Sequence, residues 1–100
     1  MKRGKAMRPS EALARHRDEV LAIIARYPVS NPRVFGSVAR GEDVEGSDVD
    51  ILVERIGPMT YPDIFELEDE LSGVLVCSVE VFTGLKPHAA STAAPDLKSL

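Results

Sequence analysis

Three carboxylates and a Gly-Ser pair are the residues of this chain whose types and spacing could do chemistry. Asp48 and Asp50 open the run Asp48-Val49-Asp50-Ile51-Leu52-Val53. Side chains alternate along a strand, so both carboxylates would share one face and Val49, Ile51 and Val53 the other. Two carboxylates one pleat apart repel each other. Solvent, basic neighbours or a divalent cation can relieve them, and Mg²⁺ is commonly held by one or two carboxylates plus substrate phosphates. The plainer alternative for an isolated pair is a half-exposed strand with a polar face. Glu80 is the one charge in the near-continuous apolar run 75–82. A buried, unpaired carboxylate is costly, so Glu80 is expected to have a partner. That partner is the same cation, if its strand lies beside that of Asp50, or else Arg33, Arg40 or Arg55. Gly36-Ser37 follows a short apolar run. Glycine lets the backbone approach a ligand closely, and the N–H groups at a helix start favour phosphate, although a Gly-Ser pair alone is usually only a turn. Together these parts suggest a two-metal phosphoryl-transfer site, which works by positioning and charge neutralisation more than by covalent catalysis.

The elements that must position these residues follow from periodicity and punctuation. Ser10 is a plausible N-cap, and Leu13, Val20, Ile24 and Tyr27 recur as a helical stripe that Pro28 ends. Asn31-Pro32 reads as a turn. Residues 33–35 read as a short strand, a short helix starts at Ser37, and 41–47 is a polar loop with two glycines. Residues 48–53 form a second strand. Ile64, Leu67, Leu71 and Val74 form a second helical stripe, with Asp63, Glu66, Asp69 and Glu70 on its outer face. Residues 75–82 read as a third strand. The order helix, strand, short helix, strand, helix, strand predicts an α/β fold, a small mixed sheet with helices packed on it. Residues 1–9 are expected to form a flexible basic arm, 10–86 the domain and 87–100 an irregular tail.

Composition narrows the function classes. At 100 residues the chain suggests a single domain with a modest core. One cysteine, Cys77, excludes an intrachain disulfide framework and fits a reducing cytoplasm. No apolar run reaches the length of a membrane span, and the basic start leads into no signal-peptide core. Residues 1–40 hold nine Lys/Arg and three Asp/Glu, whereas 41–100 hold three and thirteen, for a net charge of −4. Such a chain is a poor candidate for direct, sequence-independent nucleic-acid binding, which needs many cationic phosphate contacts. Residues 43–54 superficially resemble a calcium loop, but Asp48 stands where its glycine is required. His16 and His88 read as surface and tail residues. Cys77 reads as a core thiol facing away from the carboxylates, and the acids of 66–70 as the solvated face of a helix.

The two-part motif is recognisable. Val34-Phe35-Gly36-Ser37-Val38-Ala39-Arg40-Gly41, followed by Gly46-Ser47-Asp48-Val49-Asp50-Ile51-Leu52-Val53, resembles the nucleotidyltransferase signature G-S-x₁₀-D-x-D, with ten residues between Ser37 and Asp48. The resemblance covers roughly residues 10–86. Its small size is similar to the minimal nucleotidyltransferases (MNT-domain antitoxins that pair with HEPN toxins) within the DNA polymerase β-like nucleotidyltransferase superfamily. The resemblance implies that Gly36 and Ser37 hold the triphosphate of ATP. It implies that Asp48 and Asp50 bind two Mg²⁺ ions, and that Glu80 completes the metal site and helps deprotonate the acceptor hydroxyl. Arg40 occupies the motif's arginine position, where it would orient the loop or neutralise phosphate, or equally form a structural salt bridge. Glu80 stands where the family usually has Asp, one methylene shorter.

Three functions compete at this point. The first is transfer of AMP from ATP to a hydroxyl, a tyrosine by the resemblance, of a partner HEPN toxin, since the chain has no room for a second domain that would grip a small acceptor. The second is a catalytically degenerate antitoxin that neutralises its toxin by binding alone. The third is transfer to a small molecule such as an aminoglycoside, a reaction whose enzymes carry an added acceptor-binding region.

Overall fold

The computed structural model describes residues 8–84 and 97–100. The helical stripe of residues 13–27 folds as two helices, α1 (Pro9–Arg15) and α2 (Arg17–Ile24), jointed at His16. The N-cap is Arg8 rather than Ser10. Pro9 takes the first helical position, where its missing N–H costs nothing, and the Glu11 carboxylate accepts the Arg8 backbone N–H at 2.9 Å. The first helix therefore reaches into what the sequence suggests is a free arm. Residues 1–7 of that arm lie outside the described residues.

Strand β1 (Val29–Phe35) begins four residues earlier than expected and runs through Asn31-Pro32. Those two residues occupy a register shift between Ser30 and Arg33, with Asn31 at φ +54. Asparagine tolerates this conformation, and a bulge is where a sheet accepts proline, which has no N–H to give the ladder. Helix α3 (Ser37–Arg40) follows at once, and then the loop to β2 (Val49–Arg55).

Helix α4 (Tyr61–Leu75) opens with a reciprocal cap. Thr60 Oγ1 accepts the Asp63 N–H at 3.3 Å, and Asp63 Oδ2 accepts the Thr60 N–H at 3.0 Å. It ends at Val76, in the left-handed region at φ +55. The expected strand 75–82 is thus shortened to β3 (Val79–Phe82), its first residues being spent on the helix end and the turn.

One four-stranded mixed sheet results, in the order β3-β2-β1-β4. β1 and β2 are antiparallel, while β2 and β3 are parallel and joined by α4. β4 (Lys98–Ser99) pairs antiparallel with β1, so the end of the expected irregular tail is an edge strand. Residues 85–96 lie outside the described residues. The core fills one face of the sheet. Val34, Val49, Ile51, Val53, Val79 and Val81 meet Leu13, Val20, Ile24, Leu67, Leu71 and Leu75 from the helices in one buried cluster. The opposite face carries the carboxylates. Among the described residues, no helix is long and apolar enough to cross a membrane.

Candidate functional site

The strand registers bring the carboxylates together. Asp50 lies opposite Phe35 on β1 and opposite Glu80 on β3, in the middle of the sheet. Residues paired across strands point to the same face, so Asp50 and Glu80 share the open face, and Asp48 joins them one pleat earlier. Leu52 and Phe82 form the next row of that face. Phe35 and Phe82 meet diagonally across β2 with ring centroids 5.3 Å apart. The acids therefore stand at one end of an open face, next to a small apolar floor.

Gly36 connects β1 to α3 at φ +79 and ψ −155, a region open essentially to glycine alone. A Cβ built on it would lie 2.8 Å from Asp50 Oδ2. The backbone turns directly against the carboxylate, and only the missing side chain permits it. The two halves of the motif, ten residues apart in sequence, are thus in contact. Ser37 opens α3, and its carbonyl accepts the Glu42 N–H at 2.9 Å, which turns the chain back after Gly41 in the left-handed region.

Electrostatics single out Asp50. It is half-buried, and its carboxyl is held above the usual carboxylate range, first by burial and then by the negative charges of Glu80 and Asp48. Asp48 and Glu80 are exposed. The expectation that Glu80 is buried is corrected here. In the shortened β3, Val79 and Val81 take the core face and Glu80 the open one, so it needs no buried partner. Among the described residues, no ion pair joins it to Arg33, Arg40 or Arg55. Arg33 reaches Glu54 at 3.4 Å, and Arg40 Nε donates to Glu42 Oε1 at 2.9 Å. The pair with Glu42 is the structural alternative for Arg40.

The donor set suits a divalent cation that brings part of its own coordination. Among the described residues, no group of three His, Cys, Asp or Glu is arranged to hold an ion by itself. The mutual repulsion around half-buried Asp50 is what a cation would relieve, and Mg²⁺ characteristically completes its octahedron with water and phosphate oxygens.

Residues outside the motif behave less simply than the sequence suggests. Cys77 packs partly against the core, as expected of a core thiol, yet its pKa is pushed up by burial and then by Asp48 and Asp43, so it lies within the field of the site. It is no activated nucleophile. His16 sits at the helix joint with Nδ1 2.6 Å from Glu19, and His88 lies outside the described residues. The acids of α4 are not all solvated. Glu70 bonds Arg26 and, at 2.7 Å, the Tyr27 hydroxyl, and Glu68 accepts the Val81 N–H at 2.8 Å on the outer edge of β3. The residue that sequence reasoning missed is Asp43, with 1% of its surface exposed, the buried charge of a loop that reads as solvated. Its segment, Gly41 to Ser47, is polar apart from Val44 and carries no periodicity, so no local signal marks it.

Comparison with known proteins identifies the family and the fold. Residues 15–92 match the family model described as a nucleotidyltransferase domain. A Methanocaldococcus jannaschii protein that bears the provisional name protein adenylyltransferase is 41% identical over 73 residues, which span 73% of this chain and 81% of that protein. A second protein of the same organism and provisional name is 37% identical over 78 residues, spanning 78% and 76%. A solved structure provisionally described as a minimal nucleotidyltransferase superposes with a TM-score of 0.82 at 36% identity, covering 97% of this chain and all of that one. A toxin-antitoxin crystal structure with AMP-PNP superposes with a TM-score of 0.69 at 18% identity, over 82% of this chain and 69% of that one. At that identity the likeness is one of fold.

Proposed function

Because this chain belongs to the nucleotidyltransferase-domain family, as a minimal nucleotidyltransferase, we propose that it moves AMP from ATP to a hydroxyl of a partner protein. The partner in this reading is a HEPN-type toxin, the acceptor a tyrosine and the outcome neutralisation of the toxin in the cytoplasm. The observation that carries the reading is the contact of Gly36 with Asp50, which sets the backbone turn before α3 directly beside the repelling carboxylates. The provisional names of the M. jannaschii relatives support protein as the acceptor class. The toxin-antitoxin neighbour with AMP-PNP supports both a nucleotide and a toxin partner.

Gly36 and Ser37 bind the triphosphate, since Gly36 lets the turn before α3 sit against Asp50 and Ser37 offers a hydroxyl and an N–H beside it. Asp48 and Asp50 hold the divalent cations. A bound Mg²⁺ would supply charge neutralisation for the transfer. Glu80, exposed beside Asp50, takes the proton of the acceptor hydroxyl. The hydroxyl oxygen bonds to the α-phosphorus, the bond from that phosphorus to the bridging oxygen of the β-phosphate breaks, and pyrophosphate leaves. Arg40, at the end of α3, orients the loop through Glu42.

A second reading, neutralisation by binding alone, draws on two features. The described acids do not close into a three-ligand site, and Glu80 is longer than the usual Asp. The two readings separate by transfer of an α-phosphate radiolabel from each nucleoside triphosphate, with Mg²⁺, to proteins co-purified with this chain. Label from ATP on a small partner, lost in Asp48→Asn/Asp50→Asn, supports transfer. A tightly bound but unlabelled partner supports binding alone.

A further inference from the structure

The loop between the two halves of the motif is fastened at one point. It leaves α3 through Gly41 and Glu42 and re-enters the sheet through a turn in which Val44 N–H donates to Ser47 Oγ and Ser47 N–H to the Val44 carbonyl, each at 2.9 Å. Between these two turns stands Asp43, the only buried charged residue among the described residues. Its Oδ2 accepts the Ser10 backbone N–H at 2.8 Å, in the first turn of α1. Its backbone carbonyl accepts from Arg8 Nη1 at 3.4 Å. Its Oδ1 is buried without a hydrogen-bond partner among the described residues.

A buried carboxylate with one oxygen unpaired is an expensive way to hold a surface loop. A neutral side chain with one acceptor would hold the same N–H without burying a charge. What the charged form adds is strength, since a charge-assisted hydrogen bond is roughly twice as strong as a neutral one, and it lies at a helix start that favours negative charge. The fastened loop ends at Asp48, five residues on, and begins at the Ser37 carbonyl.

We infer that Asp43 is a positioning residue for the nucleotide site: by tying the loop to the first turn of α1 it sets Asp48 in register with Gly36 and Asp50. This rests on the reading of those residues as the site that binds Mg²⁺ and ATP. Asp43 touches neither substrate nor cation; it acts through the backbone of the loop. Outer groups that hydrogen-bond to metal ligands typically cost about 10–100-fold in affinity or activity when removed, and a loss of that order is expected here although Asp43 acts through the loop backbone.

The test titrates the full chain with Mg²⁺ and a non-hydrolysable ATP analogue by calorimetry, beside thermal unfolding of each variant. Asp43→Ala is expected to remain folded and to bind the analogue about 10–100-fold more weakly. Asp43→Asn, which keeps an acceptor for the Ser10 N–H but not the charge, is expected to bind between wild type and Asp43→Ala. Val20→Ala, in the fully buried core of α2, is the control: it loses stability and keeps wild-type affinity. Should Asp43→Ala fail to fold, Asp43→Ser carries the same comparison, because its short hydroxyl falls short of Ser10. A folded Asp43→Ala or Asp43→Ser with wild-type affinity overturns the inference alone. So does a Val20→Ala variant weakened as much as Asp43→Ala. Absence of binding by wild type overturns both the inference and the reading of the site.

Discussion

Replacement of Gly36 by alanine tests the contact on which the site depends. Two costs add. The backbone at φ +79 and ψ −155 is a conformation that costs an L-residue about 1–3 kcal/mol. The new Cβ also falls 2.8 Å from Asp50 Oδ2, so the carboxylate must retreat. Asp50 sits on β2 between β1 and β3, its backbone fixed by both neighbours, so only its side-chain torsions can give. An off-rotamer torsion costs about 0.5–1.5 kcal/mol. The sum is about 1.5–4.5 kcal/mol, a large part of the 5–15 kcal/mol typical of a domain, and corresponds to roughly 6–36 °C in Tm at this size. The assay is urea denaturation of wild type, Gly36→Ala, Asp50→Ala and the double variant. In the Asp50→Ala background the collision is gone and only the backbone strain remains, so Gly36→Ala should cost about 1 kcal/mol less there. A Gly36→Ala variant within about 0.5 kcal/mol of wild type, or a double variant with no coupling, would refute the close approach of the two motif halves.

Three further outcomes follow from the same geometry. The folded-state pKa of Asp50 is raised by burial and by Glu80 and Asp48, so its ionisation works against folding. That penalty is absent below the ordinary carboxylate pKa and grows as pH rises through the raised value. Without metal, Asp50→Asn should therefore raise Tm at pH 7, with the gain shrinking as the pH is lowered into the carboxylate range; a Tm unchanged or lowered at pH 7 contradicts this. Mg²⁺ with ATP should raise the Tm of wild type and leave Asp48→Asn/Asp50→Asn unmoved, because only a species that binds the folded state stabilises it. Glu68→Ala should cost about 1.5–3 kcal/mol by removing a charge-assisted bond to the Val81 N–H. It also bares the outer edge of β3 to pairing with another chain, so sedimentation should show self-association that wild type lacks.

Much of this was legible in the sequence, for reasons that particular residues make plain. Leu67 and Leu71 recur at helical spacing, and Val49, Ile51 and Val53 alternate, because each faces a continuous core. Gly36-Ser37 and Asp48-x-Asp50 are recognisable because the close approach and the carboxylate pair each need particular residue types at fixed positions. The failures have equally local causes. Asn31-Pro32 has the composition of a turn, and only pairing with β2 on one side and β4 on the other makes it a bulge. Leu75 continues the stripe of α4 and also begins the apolar run of β3, and periodicity cannot divide a helix end from a strand that follows it directly. Lys98-Ser99 becomes a strand through a distant partner, β1, that no local pattern announces. Glu80 reads as buried because its neighbours are apolar, but a two-sided sheet lets every second residue face outward. Asp43 is the inverse case, a charge in a polar loop, buried because α1 folds over it.

We propose that the carboxylates opposite Gly36 transfer AMP to a protein. This is tested most directly by the intact mass of the partner protein after co-expression with wild type and with Asp48→Asn/Asp50→Asn. The partner is expected to be heavier by one or more AMP units with wild type, and unmodified with the double variant. A partner that stays bound to wild type without added mass, or one modified equally by the double variant, would contradict it.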